Sequence, residues 1–143
     1  MRVESGPVDG FSFTAEIRVR FAETDAQGIA HHSNYIVWFE VARVAYLAQF
    51  RDGYRSIQAD GVEVLVTDMA VRFVAPARFD DVLTVGVRCS SLKGARFRFE
   101  YAVERDGTLI VDGHTGHACV NAQTLAPTRT PGWLVEAIAS LQG

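Results

Sequence analysis

The sequence predicts an α+β fold in which one long helix packs against a curved antiparallel five-stranded sheet. Three features of the chain support this. Apolar and polar residues alternate from Phe13 to Phe21, an apolar helical run follows over about residues 33–50, and strand-like segments fill the chain from Val62 to Asn121. We expect one domain over residues 1–143, because a chain of this length folds around a single core.

Periodicity marks the first strand and the helix. Between Phe13 and Phe21 the odd-numbered side chains are apolar and the even-numbered ones are polar, which is typical of a half-buried strand. Ser33 or Asn34 can then cap a helix, and Asp52-Gly53 supplies a stop signal near its end. Apolar side chains cover most of the helix circumference, so we expect other structure to surround it.

The rest of the chain is predicted to be mainly strands. These strands cover Val62–Val74, Val82–Cys89, Ala95–Glu104 and Leu109–Asn121, and a short helix covers about Gly132–Leu141. Turn signals separate them at Asp80-Asp81, Lys93-Gly94 and Asp106-Gly107. The dipeptide Ala75-Pro76 indicates an edge or a bulge at the end of the first of these strands.

Composition and charge exclude several classes of protein. The chain carries 14 basic and 17 acidic residues, a net charge of −3, which argues against nucleic-acid binding through a broad positive surface. Residues 1–10 contain no continuous apolar run, so we expect no secretory signal, no membrane span and a cytoplasmic location. Cys89 and Cys119 lie in predicted strands without Cys-x-x-Cys spacing, so we expect neither a disulfide nor a metal site.

The segment from Thr24 to Tyr35 joins the first strand to the helix. It contains the carboxylate of Asp25, the flexible Gly28 and the adjacent His31 and His32. Backbone N–H groups at a helix start favour developing negative charge, and a carboxylate just upstream can attack a substrate or activate water. The pattern therefore predicts a hydrolytic site, with a simple turn-capping role for Asp25 as the alternative.

Ordered blocks of sequence carry a family resemblance. They are Asp25-x-x-Gly28-Ile29 with His32-Ser33-Asn34-Tyr35, Glu40-x-Ala42-Arg43, Phe73-Val74-x-Pro76-Ala77-x-x-Asp80-Asp81-Val82-Leu83, and His117-Ala118-Cys119-Val120-Asn121 with Thr128-Arg129-Thr130-Pro131. With these blocks the chain resembles the hotdog-fold acyl-CoA thioesterases, specifically the group that contains 4-hydroxybenzoyl-CoA thioesterase and the YbgC-type enzymes. The blocks follow the family's order and cover nearly the whole chain.

The resemblance implies an architecture and an assembly. In the hotdog fold a long central helix is wrapped by a curved antiparallel sheet, and two subunits pair edge to edge with the active sites at their interface. We therefore expect a homodimer or a homotetramer. Such pairing would also cover a sheet edge that is otherwise exposed.

The resemblance also implies catalytic roles around the junction. Asp25 matches the catalytic carboxylate, acting either as a nucleophile through a mixed anhydride or as a general base on water. Gly28 permits a tight turn and close approach of the substrate. The backbone N–H near His32 matches the oxyanion donor, and the His32 imidazole can orient Asp25, guide water or protonate the departing thiolate.

Substrate contacts are predicted at both ends of an acyl-CoA. The predicted contact residues are Ile29, His31, Tyr35, Lys93 and Arg96. Tyr35 can line the acyl pocket, although a buried structural tyrosine fits equally well. Lys93 and Arg96, with Arg98 beside them, match a basic cluster that can meet CoA phosphates, and the alternative is a solvated hairpin tip.

Two further pairs of residues invite interpretation. Glu40 and Arg43 are three apart on the helix and can form an ion pair, which we interpret as structural. Some hotdog enzymes carry their catalytic acid on this helix, so Glu40 is a second candidate for that acid. His114 and His117 are three apart on a strand and should lie on opposite faces, so we expect no metal and no cofactor.

The predicted function is hydrolysis of an aromatic or short-to-medium acyl-CoA to the free acid and CoA. An acyl carrier protein is the alternative donor of the acyl group. The rival functions are a non-catalytic module that binds acyl-CoA or acyl carrier protein, and a hotdog dehydratase. The dehydratase patterns Gly-His-Phe-Pro and Asp-x-Asn-Pro-x-His are absent from the chain.

Overall fold

A computed structural model describes residues 6–142, which form five strands and three α-helices. The elements in chain order are β1 (Phe13–Arg18), a 3-10 turn (Phe21–Glu23), α1 (Ser33–Leu47), α2 (Tyr54–Ala59), β2 (Val62–Phe73), β3 (Val82–Lys93), β4 (Arg96–Arg105), β5 (Thr108–Asn121) and α3 (Gly132–Gln142). The expectation that residues 1–10 carry no secretory signal falls partly on residues 1–5, which, like Gly143, lie outside the described residues.

The five strands form one antiparallel sheet in the order β1-β3-β4-β5-β2. Strands β3, β4 and β5 are joined by hairpins, whereas β2 lies at the far edge and pairs with β5 from Val62↔Asn121 to Phe73↔Val111. The predicted α+β class and the five-stranded antiparallel sheet are therefore confirmed. The sheet leaves the outer edge of β2 without a neighbour among the described residues.

Helix α1 packs against the inner face of the sheet. The ring of Phe39 stacks on that of Tyr101 with centroids 4.3 Å apart, and Trp38, Ala42, Tyr46 and Leu47 are also buried. The helix approaches closely because Gly113 of β5 has no side chain. A Cβ atom there would lie 3.0 Å from the Phe39 ring and would overlap the carbonyl oxygen of Ala70 on β2.

The opposite side of α1 is apolar and exposed. Val37, Val41 and Val44 are each close to half exposed on this side. On β2, Met69 and Phe73 pair with Thr115 and Val111 of β5, whose side chains are buried on the inner face of the sheet. Met69 and Phe73 lie on the same face and are also about half exposed. The sequence predicted that other structure surrounds the whole helix. Within one chain only part of the helix circumference is covered.

Some local predictions were wrong for identifiable reasons. Phe21 is 75% exposed, because β1 ends at Arg18 and the chain then turns away from the sheet. Of the two alternatives that Ala75-Pro76 indicated, the edge is confirmed, since β2 is an edge strand, whereas the bulge of β2 lies between Val66 and Asp68 and not at its end. Helix α2, which was not predicted, follows Gly53, whose φ of 60° lies in the left-handed region.

The predicted ion pair between Glu40 and Arg43 is wrong. Glu40 is exposed, whereas Arg43 is buried and donates from Nε to the Tyr54 hydroxyl at 2.9 Å and from Nη1 to the Tyr101 hydroxyl at 3.0 Å. The hydroxyls of the half-buried Tyr54 and the buried Tyr101 thus accept the hydrogen bonds that were assigned to a carboxylate on the helix surface. The exposure of Glu40 also places it apart from the cavities described below.

The two histidines of β5 lie on opposite faces of the sheet, as their spacing predicts. His117 is buried and its Nε2 lies 2.7 Å from the Thr115 hydroxyl. Burial, reinforced by the charge of Arg43, lowers the pKa of His117 to about 4. His114 faces outward, where Arg98 lies 2.7 Å from its Nδ1.

Both cysteines are free, buried and placed within strands, as predicted. Strand β1 pairs with β3 only as far as Val87. Past that residue, the side-chain amide of Gln142 makes the hydrogen bonds to β3 that a neighbouring strand would make. Its Oε1 accepts the N–H of Cys89 and its Nε2 donates to the carbonyl of Cys89, both at 2.8 Å. Helix α3 is thereby fixed to the sheet.

Within residues 6–142 no helix has the length and apolar character needed to cross a membrane.

Candidate active site

The loop of residues 24–32, called the Asp25 loop below, is a tight antiparallel turn. Its ends meet in a bridge between Thr24 and Ala30, and the N–H of Asp25 donates to the carbonyl of Ile29 at 2.9 Å. The N–H of Gly28 donates back to the carbonyl of Asp25 at 2.9 Å, with φ of 77° at Gly28. This backbone angle favours glycine, which explains the residue at this position.

The turn also orients the carboxylate of Asp25. Its Oδ1 accepts the N–H of Gln27 at 2.8 Å, whereas its Oδ2 has no hydrogen-bond partner within residues 6–142. Asp25 therefore does cap a turn, which was the alternative to catalysis, but it does so with one oxygen only. The second oxygen is available to a substrate or to water.

Contacts with the connection between β2 and β3 hold the Asp25 loop in place. Ile29 forms a bridge with Arg78, and the N–H of Ala30 donates to the carbonyl of Ala77 at 2.8 Å. The N–H of Ala77 in turn donates to the hydroxyl of Tyr35 at 3.1 Å. Tyr35 is 3% exposed, and burial raises its pKa. It therefore has the structural role that the sequence left open, and it also lines the cavity described below.

Helix α1 begins without the predicted side-chain cap. The hydroxyl of Ser33 lies 2.8 Å from Nδ1 of His31, and the amide of Asn34 donates to the carbonyl of Glu23 at 2.8 Å. The residue before the helix is His32, and nothing in the described part of the chain accepts its backbone N–H. The expectation that Ser33 or Asn34 caps the helix is wrong, and a free donor remains at the helix start.

The two histidine side chains have different surroundings. Their rings lie 4.0 Å apart, and the contact between His31 and Ser33 fixes the orientation of the first ring. His32 lines the cavity beside Asp25, whereas His31 lies outside that lining and packs behind His32. The side chains of His32 and Asp25 thus line one cavity, and His31 contacts the ring of His32 from outside it.

A cavity of about 410 Å³ lies between the Asp25 loop, the start of α1 and the end of β2. Its lining residues are Asp25, Gln27, Ile29, Ala30, His32, Tyr35, Phe73, Val74, Ala75 and Pro76. One wall carries the carboxylate and the histidine, and the facing wall is apolar. Such a cavity fits an apolar acyl group whose reactive carbon lies beside Asp25. The run from Phe73 to Pro76 was not predicted to line the site.

The basic residues predicted to bind CoA surround a second cavity of about 390 Å³. It is lined by Thr67, Asp68, Ser91, Lys93, Arg96, Phe97, Arg98, Gly116 and His117. The two cavities share no residue. Along β2 the five residue-to-residue steps from Asp68 to Phe73 span roughly 17 Å, so one chain keeps the basic residues away from Asp25.

Glu23 was not predicted to contribute to the site, yet it lies buried under the Asp25 loop. Its carboxylate accepts the backbone N–H of Arg20 at 2.7 Å and the indole N–H of Trp38 at 2.9 Å. Burial alone would raise the pKa of Glu23, but these hydrogen bonds and the guanidinium of Arg20 hold the pKa below its usual value. The available sequence signal was the spacing of three between Arg20 and Glu23.

Comparisons with known proteins agree with this architecture. A sequence model of the thioesterase-like superfamily matches residues 19–138. A putative esterase of Aquifex aeolicus (strain VF5) is 36% identical over 103 residues, which are 72% of this chain and 80% of that protein. Acyl-CoA thioester hydrolase YbgC of Escherichia coli O6:H1 is 29% identical over 124 residues, 86% of this chain and 92% of that protein.

A solved structure extends the comparison to three dimensions. The DHNA-CoA thioesterase of Staphylococcus aureus superposes with a TM-score of 0.82 and 30% identity, covering 90% of this chain and 89% of that one. The matched residues 19–138 include the Asp25 loop, α1 and every strand except β1. The chain therefore has the hotdog fold and belongs to the thioesterase-like superfamily.

Proposed function

We propose that this chain hydrolyses acyl-CoA thioesters, with Asp25 as the nucleophile or general base and the N–H of His32 as the oxyanion donor. The observation that carries the proposal is that Asp25, with one free carboxylate oxygen, and His32, with a free backbone N–H, line the same apolar cavity. Hydrogen bonds of the loop hold Asp25, and the start of α1 holds His32, so both groups have a defined orientation in the folded chain.

The chemistry follows from these two groups. The thioester carbonyl oxygen accepts the N–H of His32, which stabilises the negative charge that develops there; one such donor is worth about 3 kcal/mol. Asp25 Oδ2 either attacks the carbonyl carbon or takes a proton from an attacking water. The C–S bond breaks and CoA leaves as a thiolate, which the His32 imidazole can protonate. In the first route, water then hydrolyses the resulting anhydride and restores Asp25.

An assay of thiol release across benzoyl-, phenylacetyl-, short-chain and long-chain CoA esters tests this function. We expect release from aromatic and short-to-medium esters, because the cavity walls are apolar and the cavity is small. Binding of these esters without thiol release above background would favour the non-catalytic module instead. The same assay with acyl carrier protein esters decides whether CoA or acyl carrier protein donates the acyl group. The acyl carrier protein as donor and a cytoplasmic location both stay predictions.

Lys93 and Arg96 are proposed to bind the phosphates of CoA. Replacing both residues by alanine should raise KM about fivefold and leave kcat nearly unchanged, because each exposed charge contributes only a little to the binding of CoA. Steady-state kinetics with one acyl-CoA measures the change. Arg55→Ala is the matched control, since it removes an exposed arginine that lines neither cavity. An unchanged KM in the double variant would leave the basic cavity without a role in CoA binding.

A homodimer or homotetramer is proposed to form through the edge of β2. The exposed apolar residues of α1 and β2 form a surface of the kind that proteins usually cover. Antiparallel pairing of two β2 edges would place the start of one strand beside the end of the other. If the two strands pair with Asp68 opposite Phe73 of the partner subunit, the basic cavity of one subunit approaches the Asp25 cavity of the other, which removes the separation found within one chain.

Charge on this surface should break the assembly. Val41→Glu should yield a monomer with little activity, because the carboxylate would be buried against the partner. Analytical ultracentrifugation measures the mass, and the thiol-release assay measures activity. Val135→Glu places the same charge on an exposed position of α3 and should change neither. A wild-type protein that sediments as a monomer, or an active Val41→Glu oligomer, would contradict this interface.

A further inference from the structure

We infer that Glu23 is a positioning residue for hydrolysis: its buried carboxylate and its carbonyl fix the Asp25 carboxylate relative to the N–H of His32. The inference rests on the proposed function, because it acts through these two groups. Glu23 is 5% exposed and does not line the cavity. Any influence on the reaction must therefore pass through the loop and the helix that it joins.

The side chain of Glu23 links the turn before Asp25 to helix α1. Its Oε1 accepts the N–H of Arg20 at 2.7 Å, which closes the 3-10 turn immediately ahead of the Asp25 loop. Its Oε2 accepts the indole N–H of Trp38 at 2.9 Å, and Trp38 lies in the buried face of α1. One carboxylate thus sets the distance between the strand side and the helix side of the site.

The backbone of Glu23 completes the link from the other direction. Its carbonyl accepts the N–H of His31 and the side-chain amide of Asn34, each at 2.8 Å. His31 directly precedes the proposed oxyanion donor, and Glu23 lies two residues before Asp25. The same residue therefore holds both ends of the Asp25 loop, and Asn34 serves this link and not the helix cap.

The function of this carboxylate depends on its charge. An ionised carboxylate only accepts hydrogen bonds, and all three groups that face its oxygens, the Arg20 backbone N–H, the Arg20 guanidinium at 3.5 Å and the Trp38 indole N–H, are donors. A glutamine has the same size but offers one oxygen and one NH₂ group. The NH₂ group would face an N–H donor, so one of the two links must open.

Glu23→Gln should therefore lower kcat about 30-fold with KM changed less than about twofold, because a small displacement of reacting groups has a large effect on rate. Trp38→Phe removes only the indole donor and should lower kcat by a smaller factor. Tyr101→Phe is the control, since it removes a buried hydroxyl that hydrogen-bonds Arg43 and Thr115 away from the Asp25 loop. Its kcat should stay at the wild-type level.

Stability measured as a function of pH gives a second readout. The folded-state pKa of Glu23 is lowered, so its contribution to stability is present at neutral pH and is lost as the pH falls through that value. Urea unfolding between pH 7 and 3 should show this loss in the wild type and a weaker pH dependence in Glu23→Gln. The measurement depends on the contacts of Glu23 and not on thioesterase activity.

The outcomes separate this inference from the proposed function. A fall in kcat in both Glu23→Gln and Trp38→Phe, with wild-type kcat in Tyr101→Phe, supports the positioning role. The positioning role is overturned if Trp38→Phe keeps the wild-type kcat and Glu23→Gln does so too. It is equally overturned if Trp38→Phe keeps the wild-type kcat and Glu23→Gln fails to fold. If Asp25→Asn keeps full turnover, the proposed function fails, whatever the Glu23 variants do.

Discussion

Asp25→Asn should lower kcat about 1,000-fold, because an amide neither attacks a thioester nor accepts a proton from water. The fold should survive the change. The carbonyl oxygen of asparagine can accept the Gln27 N–H that Asp25 Oδ1 now accepts, so the turn keeps its hydrogen bond. Thiol release under saturating acyl-CoA measures kcat, and thermal unfolding monitored by circular dichroism checks that the melting temperature is retained.

Wild-type turnover in this variant would remove Asp25 from the mechanism. If the activity falls as expected, hydrolysis in heavy-oxygen water separates the two roles of the carboxylate. Label that enters Asp25 over repeated turnovers supports the anhydride route, since water then attacks the acylated side chain. Label that enters only the product acid supports a general base.

Gly113→Ala should be the most damaging small substitution for stability, lowering the free energy of unfolding by about 3 kcal/mol. The added Cβ would overlap the carbonyl oxygen of Ala70 and would lie 3.0 Å from the ring of Phe39. Strand β2 and helix α1 would both have to move away from β5. Urea unfolding followed by fluorescence measures the loss, and aggregation of the purified variant would have the same meaning.

Gly116→Ala is a matched control on the same strand. There the added Cβ would meet the carboxylate of Asp68 and, at 2.9 Å, the hydroxyl of Thr67. Both groups are ends of exposed side chains and can rotate away, so the effect should stay below about 1 kcal/mol. Equal stability of the two alanine variants would show that the close approach of β2, α1 and β5 at Gly113 does not limit stability.

Local patterns in the sequence predicted most elements of the fold. Alternation identified β1, and the turn residues at Lys93-Gly94 and Asp106-Gly107 identified the hairpins that join β3, β4 and β5. The pairing of β2 with β5 had no such signal, because Val62 and Asn121 are neighbours only through the sheet. Helix α2 is six residues long and too short for a helical period to appear.

The candidate site was predictable where it is continuous in sequence. Asp25, Gly28 and His32 follow one another within the Asp25 loop, and family resemblance gave them roles. The apolar wall from Phe73 to Pro76 reaches the site only through the course of β2. Glu23 escaped notice because an acidic residue beside a loop usually lies in solvent, and nothing local reveals the indole of Trp38 above it.

The late pairing of β2 has a consequence for synthesis on the ribosome. Strand β2 emerges before its partner β5, and the residues between them form β3 and β4. Until residue 121 has left the exit tunnel, β2 is without the strand it pairs with, β5. The nascent chain therefore carries β2 as an unpaired strand during synthesis, and closure of the sheet must follow translation of β5.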